Sequence, residues 1–107
     1  MRRGTTYRIR FNMSQNLSGS EAIHIAFKNR KTVIVKKYPE DIVLEATESG
    51  GCSLAVILDQ SETLSFKAGT GVTTQIRCRM EGIAYATPIY SITGPEGVLD
   101  VIEEGVI

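Results

Sequence analysis

Apolar and polar residues alternate with a period of two along most of the chain. Over residues 5–13, Tyr7, Ile9, Phe11 and Met13 alternate with Thr6, Arg8, Arg10 and Asn12. This predicts a half-buried strand with a charged outer face. The Ser, Asn and Gly content of residues 14–20 predicts a polar loop. Residues 22–27 read as a strand with Ile23, Ile25 and Phe27 on one face and His24 on the other. Lys28-Asn29-Arg30-Lys31 carries a turn signal, because Asn tolerates positive φ at little cost, and the β-branched run Thr32–Lys37 closes a hairpin. Pro39 interrupts pairing, since proline cannot donate to a sheet ladder.

Further along, Ile42–Ala46 predicts a short strand, Glu48-Ser49-Gly50-Gly51 a turn, and Cys52–Leu58 the next strand. Both faces of that strand are largely apolar, which places it centrally in a sheet. Asp59-Gln60-Ser61-Glu62 has the D-x-x-E form of a capping box and predicts one helical turn over Gln60–Leu64. Residues 67–71 read as a loop. Residues 72–80 alternate cleanly, Glu81-Gly82 forms a turn, and residues 83–92 run back beside them. Pro88 lies inside that last stretch and implies an edge position or a bulge. The ending VLDVIEEGVI fits a final strand or a short helical turn. Seven or eight short strands and one helical turn near 60–64 define the expected fold. It is all-β, an antiparallel two-sheet sandwich of immunoglobulin-like type, with a small barrel as the other closure of the same pattern. Residues 1–107 show no linker, repeat or low-complexity segment and are read as a single domain.

Charge changes this picture in one respect. Twelve Lys+Arg balance twelve Asp+Glu, so the formal net charge is zero, and no summed field draws phosphates or anionic lipids. The balance hides a split: residues 1–37 carry nine basic residues and one acid, and residues 38–107 carry three basic residues and eleven acids. Arg8 and Arg10 share the outer face of the first strand, and Lys28, Arg30 and Lys31 crowd one turn. These five are the candidate interaction surface. Aromatic residues rarely accompany them on the same face, so a base-stacking platform is not evident and nucleic acid is a disfavoured partner.

Candidate chemistry is sparse. Gly69-Thr70-Gly71 lacks a following GK[ST] and precedes a strand, so it reads as a turn rather than a phosphate loop. His24 has no nucleophile-elbow spacing around it, and Glu103 and Glu104 read as a solvated end. One His with two separated Cys offers no metal-ligand spacing, so no metal or cofactor is expected. Cys52 and Cys78 read as free buried thiols. The opening MRRGTTYRIRF has no apolar stretch of the secretory kind, and the longest apolar run is too short to span a bilayer. A soluble protein made in a cytoplasm is expected. On that route Asn12-Met13-Ser14 and Asn16-Leu17-Ser18 are inert as glycosylation sites. No enzyme is expected.

Three blocks carry a more specific likeness. They are Arg3-Gly4-Thr5-Thr6 leading into a strand, the middle Leu58-Asp59-Gln60-Ser61-Glu62-Thr63-Leu64-Ser65-Phe66, and the final Glu104-Gly105-Val106-Ile107. Together they resemble a family of small uncharacterised proteins of tailed phages and prophages of Gram-positive gut bacteria. In that family an RGTT-like opening, an L(T/S)QEETLxF-like middle and a KDGVI-like ending occur at similar spacing. Residues 72–86 resemble the corresponding strand pair. Glu104 and the Gly94–Gly97 stretch depart from the family pattern. The opening is also similar, more weakly, to the N-terminal sandwich domain of phage baseplate upper proteins. The resemblance implies a structural or accessory virion protein of the tail, baseplate or head–tail region that acts by protein–protein contact. Its implied partners are other phage virion proteins and further copies of itself. The implied location is the bacterial host cytoplasm during assembly, then the virion. No catalytic residue comes with the resemblance. The alternative from a different class is a small β-barrel nucleic-acid-binding protein using the basic N-terminal third.

Overall fold

The computed structural model describes residues 1 and 3–92. They form eight strands and one short helix. The elements are β1 (Tyr7–Met13), β2 (Ala22–Asn29), β3 (Thr32–Lys37), β4 (Ile42–Ala46), β5 (Cys52–Leu58), α1 (Gln60–Leu64), β6 (Thr73–Met80), β7 (Ile83–Ala86) and β8 (Tyr90–Ser91). The smaller sheet has the order β1-β5-β4. The larger has the order β3-β2-β6-β7, with β8 also paired to β6. Every pairing is antiparallel. This is the expected all-β sandwich. The final ten residues and the Gly94–Gly97 stretch, assigned above to a strand or helical turn and to a family departure, lie outside the described residues.

The inward positions of both sheets build one core. Ile23, Ile25 and Phe27 of β2 are completely buried, as are Leu54 and Leu58 of β5, and Phe66 after α1 joins them at 1 % exposure. Phe11 of β1 and Phe27 meet across the layers at a centroid distance of 6.4 Å and an interplanar angle of 44°. That tilted arrangement suits the ring quadrupoles. As expected, β5 is central in its sheet and buried over most of its length. Leu17 is buried too, although it lies in the polar loop 14–20, where a single apolar side chain plugs the core from the connection.

The sheets differ from an immunoglobulin constant domain in where the second strand goes. There it lies beside the first and fifth strands. Here β2 lies between β3 and β6. The β2–β3 connection is the reason, because only Arg30 and Lys31 separate the two strands. A two-residue turn cannot cross between layers about 10 Å apart, so β2 and β3 stay adjacent in one sheet. The positive φ of that turn falls on Arg30, at 53°, and not on Asn29. Asn29 instead ends β2 as a buried residue.

Pro88 acts as its position suggested, at an edge and through a bulge. Between the pairs Arg77↔Ala86 and Thr74↔Tyr90, the two residues 75 and 76 of β6 face the three residues 87–89. Thr87 compensates, donating its N–H to the Ile76 carbonyl and accepting the Ile76 N–H on its hydroxyl. The stretch read as one strand over 83–92 is therefore two strands, β7 and β8. At the other end of the core, Gly51 passes so close to β1 that a Cβ there would lie 2.0 Å from the Met13 carbonyl oxygen. Only glycine fits.

The capping box at α1 is formed in both directions. Asp59 accepts the Glu62 N–H at 2.8 Å, and Glu62 accepts the Asp59 N–H at 2.9 Å. The Glu62 N–H and the Ser61 hydroxyl hold the Asp59 carboxyl below the usual carboxylate range. For an acid whose folded pKa is depressed, the associated stability is present at neutral pH. It is lost as pH falls through that folded pKa. The turn is tied to the start of the chain by buried Thr63, which donates to the Thr5 carbonyl and accepts the Thr5 N–H.

One buried polar atom stands out in the core. The hydroxyl of Thr74, on the inward face of β6, has no hydrogen-bond partner. A buried hydroxyl without a partner is destabilising, and valine has nearly the same shape. Thr74→Val is therefore expected to stabilise the fold by about 1 kcal/mol. An unchanged or lower denaturation midpoint for this variant would refute that account.

Candidate functional site

The structure divides the five basic residues singled out in the sequence. Arg8 and Arg10 point outward from β1 in the smaller sheet, and Lys28 points outward from β2 in the larger one. Because the two sheets share one core through their inward faces, these outer faces lie on opposite sides of the sandwich. Arg30 and Lys31 sit at the β2–β3 turn, at the Lys28 end of the larger sheet. The five residues do not form one surface.

A denser basic surface is formed instead by the outer face of the larger sheet. Register defines its rows. Lys37, His24, Arg77 and Ala86 lie side by side across β3, β2, β6 and β7. Val35, Ala26 and Gln75 form the next row, and Val33, Lys28 and Thr73 the one beyond. Toward the opposite end, Ala22, Arg79 and Ala84 align. Lys28, Lys37, Arg77 and Arg79 thus share a face on which none of the outward strand positions is acidic or aromatic.

The small side chains shape that face. Each arginine stands between alanines or beside His24, so the strand surface dips around Ala22, Ala84 and Ala86. This leaves a shallow recess of about 630 Å³ whose lining includes His24, Arg77 and Arg79. The Arg77 side chain makes a long contact of 3.4 Å with Gln75. The ion pair of Lys36 with Glu62, at 2.8 Å, faces the other way and ties β3 to α1. Glu21 also lines the recess, but its carboxylate is engaged by the Gly82 N–H at the β6–β7 turn. The face therefore presents fixed positive charge and exposed aliphatic surface, including Val33 at 56 % exposure.

Alternation over residues 72–80 puts Arg77 and Arg79 on the polar side of their strand with Thr73 and Gln75, as it puts His24 on the polar side of β2. Their contribution to one face was not evident, because alternation defines which way a side chain points but not which strand lies beside it. The pairing of β2 with β6 brings a basic pair from the acidic part of the chain onto the basic part. The smaller sheet carries both signs, Arg8 and Arg10 with Asp41 and Glu45, whereas the outward strand positions of the larger sheet carry only basic charge.

Cys52 is buried and Cys78 half-buried, and both are free. Burial, and secondarily the proximity of Cys52, push the Cys78 thiol above its ordinary pKa, so it stays protonated at neutral pH. Cys52 donates a weak hydrogen bond to the Gln15 carbonyl. Among the described residues, no helix is long and apolar enough to cross a membrane, and no three His, Cys, Asp or Glu side chains cluster as metal ligands do. No protein-family model matches the chain, and no curated protein matches it significantly.

Proposed function

We propose that this chain is a non-enzymatic binding module of a phage or prophage virion, in the tail, baseplate or head–tail region. In this reading the basic outer face of the larger sheet docks on an acidic surface of a neighbouring virion protein. The observation that carries the binding mode is the face holding Lys28, Lys37, Arg77 and Arg79 around His24, with no acid at its outward strand positions. Complementary charge across an interface speeds encounter and fixes register. The interleaved Val33, Val35 and alanines supply apolar contact that a phosphate backbone would not use, and the outward strand positions of this face carry no Phe, Tyr or Trp on which successive bases could stack. The placement in a virion rests on the sequence blocks at Arg3–Thr6 and Leu58–Phe66. The protein is made in the host cytoplasm and then enters the particle.

Particles purified from the encoding host test both parts. The chain is expected at a fixed copy number per particle. An Arg77→Glu/Arg79→Glu variant is expected to fold, as read by an unchanged thermal midpoint, and to be missing from particles. Absence of the unmodified chain from particles overturns the virion reading. Retention of the charge-reversed variant overturns the assigned face. Titration with single- and double-stranded DNA covers the alternative class: steep salt-dependent binding at low ionic strength would favour the nucleic-acid reading instead.

A further inference from the structure

The opposite side of the sandwich carries a different pattern. The β1-β5-β4 order places three kinds of residue in parallel stripes on the outer face. Arg8 and Arg10 lie on β1, Ala55 and Ile57 on β5, and Val43 and Glu45 on β4, with Asp41 just before it. Register aligns Arg8 with Ile57, and Arg10 with Ala55 and Val43. The pairing of Ile42 with Val56 carries Asp41 to the level of Ile57. The face therefore runs from a positive edge, across an apolar strip, to a negative edge. Ile57 is 49 % and Val43 58 % exposed. With Arg8, Arg10, Asp41 and Ala55 they line a recess of about 300 Å³. Neither guanidinium has an acidic partner within the described residues.

We infer that this face binds a second copy of the same chain through a two-fold axis running parallel to the strands. Such an axis lays β5 over the partner's β5 and β1 over the partner's β4. Arg8 then meets Asp41 of the second copy, the Ile57 and Ala55 strips stack on each other, and Arg10 covers Val43 beside Glu45. The other in-plane axis, across the strands, sets β1 over β1 and opposes arginine to arginine. Charge order alone thus selects one of the two symmetric arrangements. The contact is isologous, so it closes at two copies and does not propagate into a filament.

The face measures about 14 by 23 Å from strand spacing and rise. That is well under the roughly 800 Å² per partner of a standard stable interface. The association is therefore weak, reversible and salt-sensitive. It uses the sheet that the proposed virion contact leaves free, and it stands whether or not that reading does.

Analytical ultracentrifugation of the full chain over a wide concentration range, at ~50 and ~500 mM salt, tests it. A monomer–dimer equilibrium is expected, with a dissociation constant at least tenfold higher at the higher salt. Arg8→Glu and Asp41→Lys are each expected to be monomeric. An equimolar mixture of the two is expected to dimerise, because both cross-interface pairs become opposite in sign again. Thermal unfolding of each variant establishes that it is folded. A monomer at every concentration in low salt overturns the proposal, and so does a dimer indifferent to both substitutions. Failure of the mixture to associate overturns the assigned axis.

Discussion

Phe27→Ala is expected to cost about 3–5 kcal/mol of stability, the range for truncating a buried aromatic ring. Phe27 is completely buried in the second half of β2, and β2 is an interior strand of the larger sheet. Its ring packs on Phe11 of the opposite layer, so the substitution opens a void where the two sheets meet. The cavity cannot collapse easily, because both walls are backbone-paired strands. A domain of this size has a total stability of about 5–15 kcal/mol, so the loss is a large fraction of the whole. With a urea slope of about 1–3 kcal/mol per molar, the midpoint should fall by about 2 M. Val33→Ala is the control: Val33 lies on the outer face of the adjacent strand, and surface changes stay within about 0.5 kcal/mol. Equal midpoints for the two variants would mean that the layers do not pack through Phe27.

The inward placement of Phe27 was legible from alternation, and so was much else that depends on neighbours close in the chain, whereas Val33-Ile34-Val35 is apolar throughout and does not show which side faces out. The 22–37 hairpin, the capping box at Asp59, the Glu81-Gly82 turn and the disruptive effect of Pro88 each follow from a few consecutive residues. What could not be read was membership. Strands β1 and β6 look alike in sequence, each alternating apolar residues with a pair of arginines. Yet β1 pairs with β5, and β6 is shared by β2, β7 and β8. Partner choice depends on the lengths of the connections and on core volume, which no local pattern encodes. The five basic residues grouped by sequence proximity were separated for this reason, while Arg77 and Arg79 joined Lys28 and Lys37 from far along the chain.

The same limit explains the charge split. Net charges of +8 over residues 1–37 and −8 over residues 38–107 suggest a molecule with two oppositely charged halves. Antiparallel pairing across the division redistributes them, giving one sheet face with only basic charge at its outward strand positions and one face with a positive and a negative edge. A net charge of zero is therefore compatible with strong local fields. Each field has a definite orientation relative to the strands. Association of either face should weaken with salt even though the whole molecule is neutral.

Asn29→Ala is expected to destabilise the protein by about 2–4 kcal/mol, although it removes only a small polar side chain. The Asn29 amide donates to the Thr70 hydroxyl at 2.6 Å and to the Gly71 carbonyl at 2.7 Å, and its oxygen accepts the Lys67 N–H at 2.8 Å. It thereby ties the loop that enters β6 to the end of β2. Asn29 is itself buried, at 2 % exposure, so alanine leaves partly buried backbone groups without partners. Asn29→Asp separates the donors from the acceptor. The carboxylate can still accept from Lys67, but it cannot donate to Thr70 or Gly71, and burial raises its pKa above that in the unfolded chain. For an acid shifted upward, the penalty is present at neutral pH and diminishes as pH falls through the folded value. The Asp variant should therefore approach the unmodified protein on mild acidification, while the Ala variant should not. Urea midpoints measured at pH 7 and pH 5 decide the matter. An Ala variant as stable as the parent, or an Asp variant whose deficit does not shrink at the lower pH, would show that this amide is not what anchors the loop.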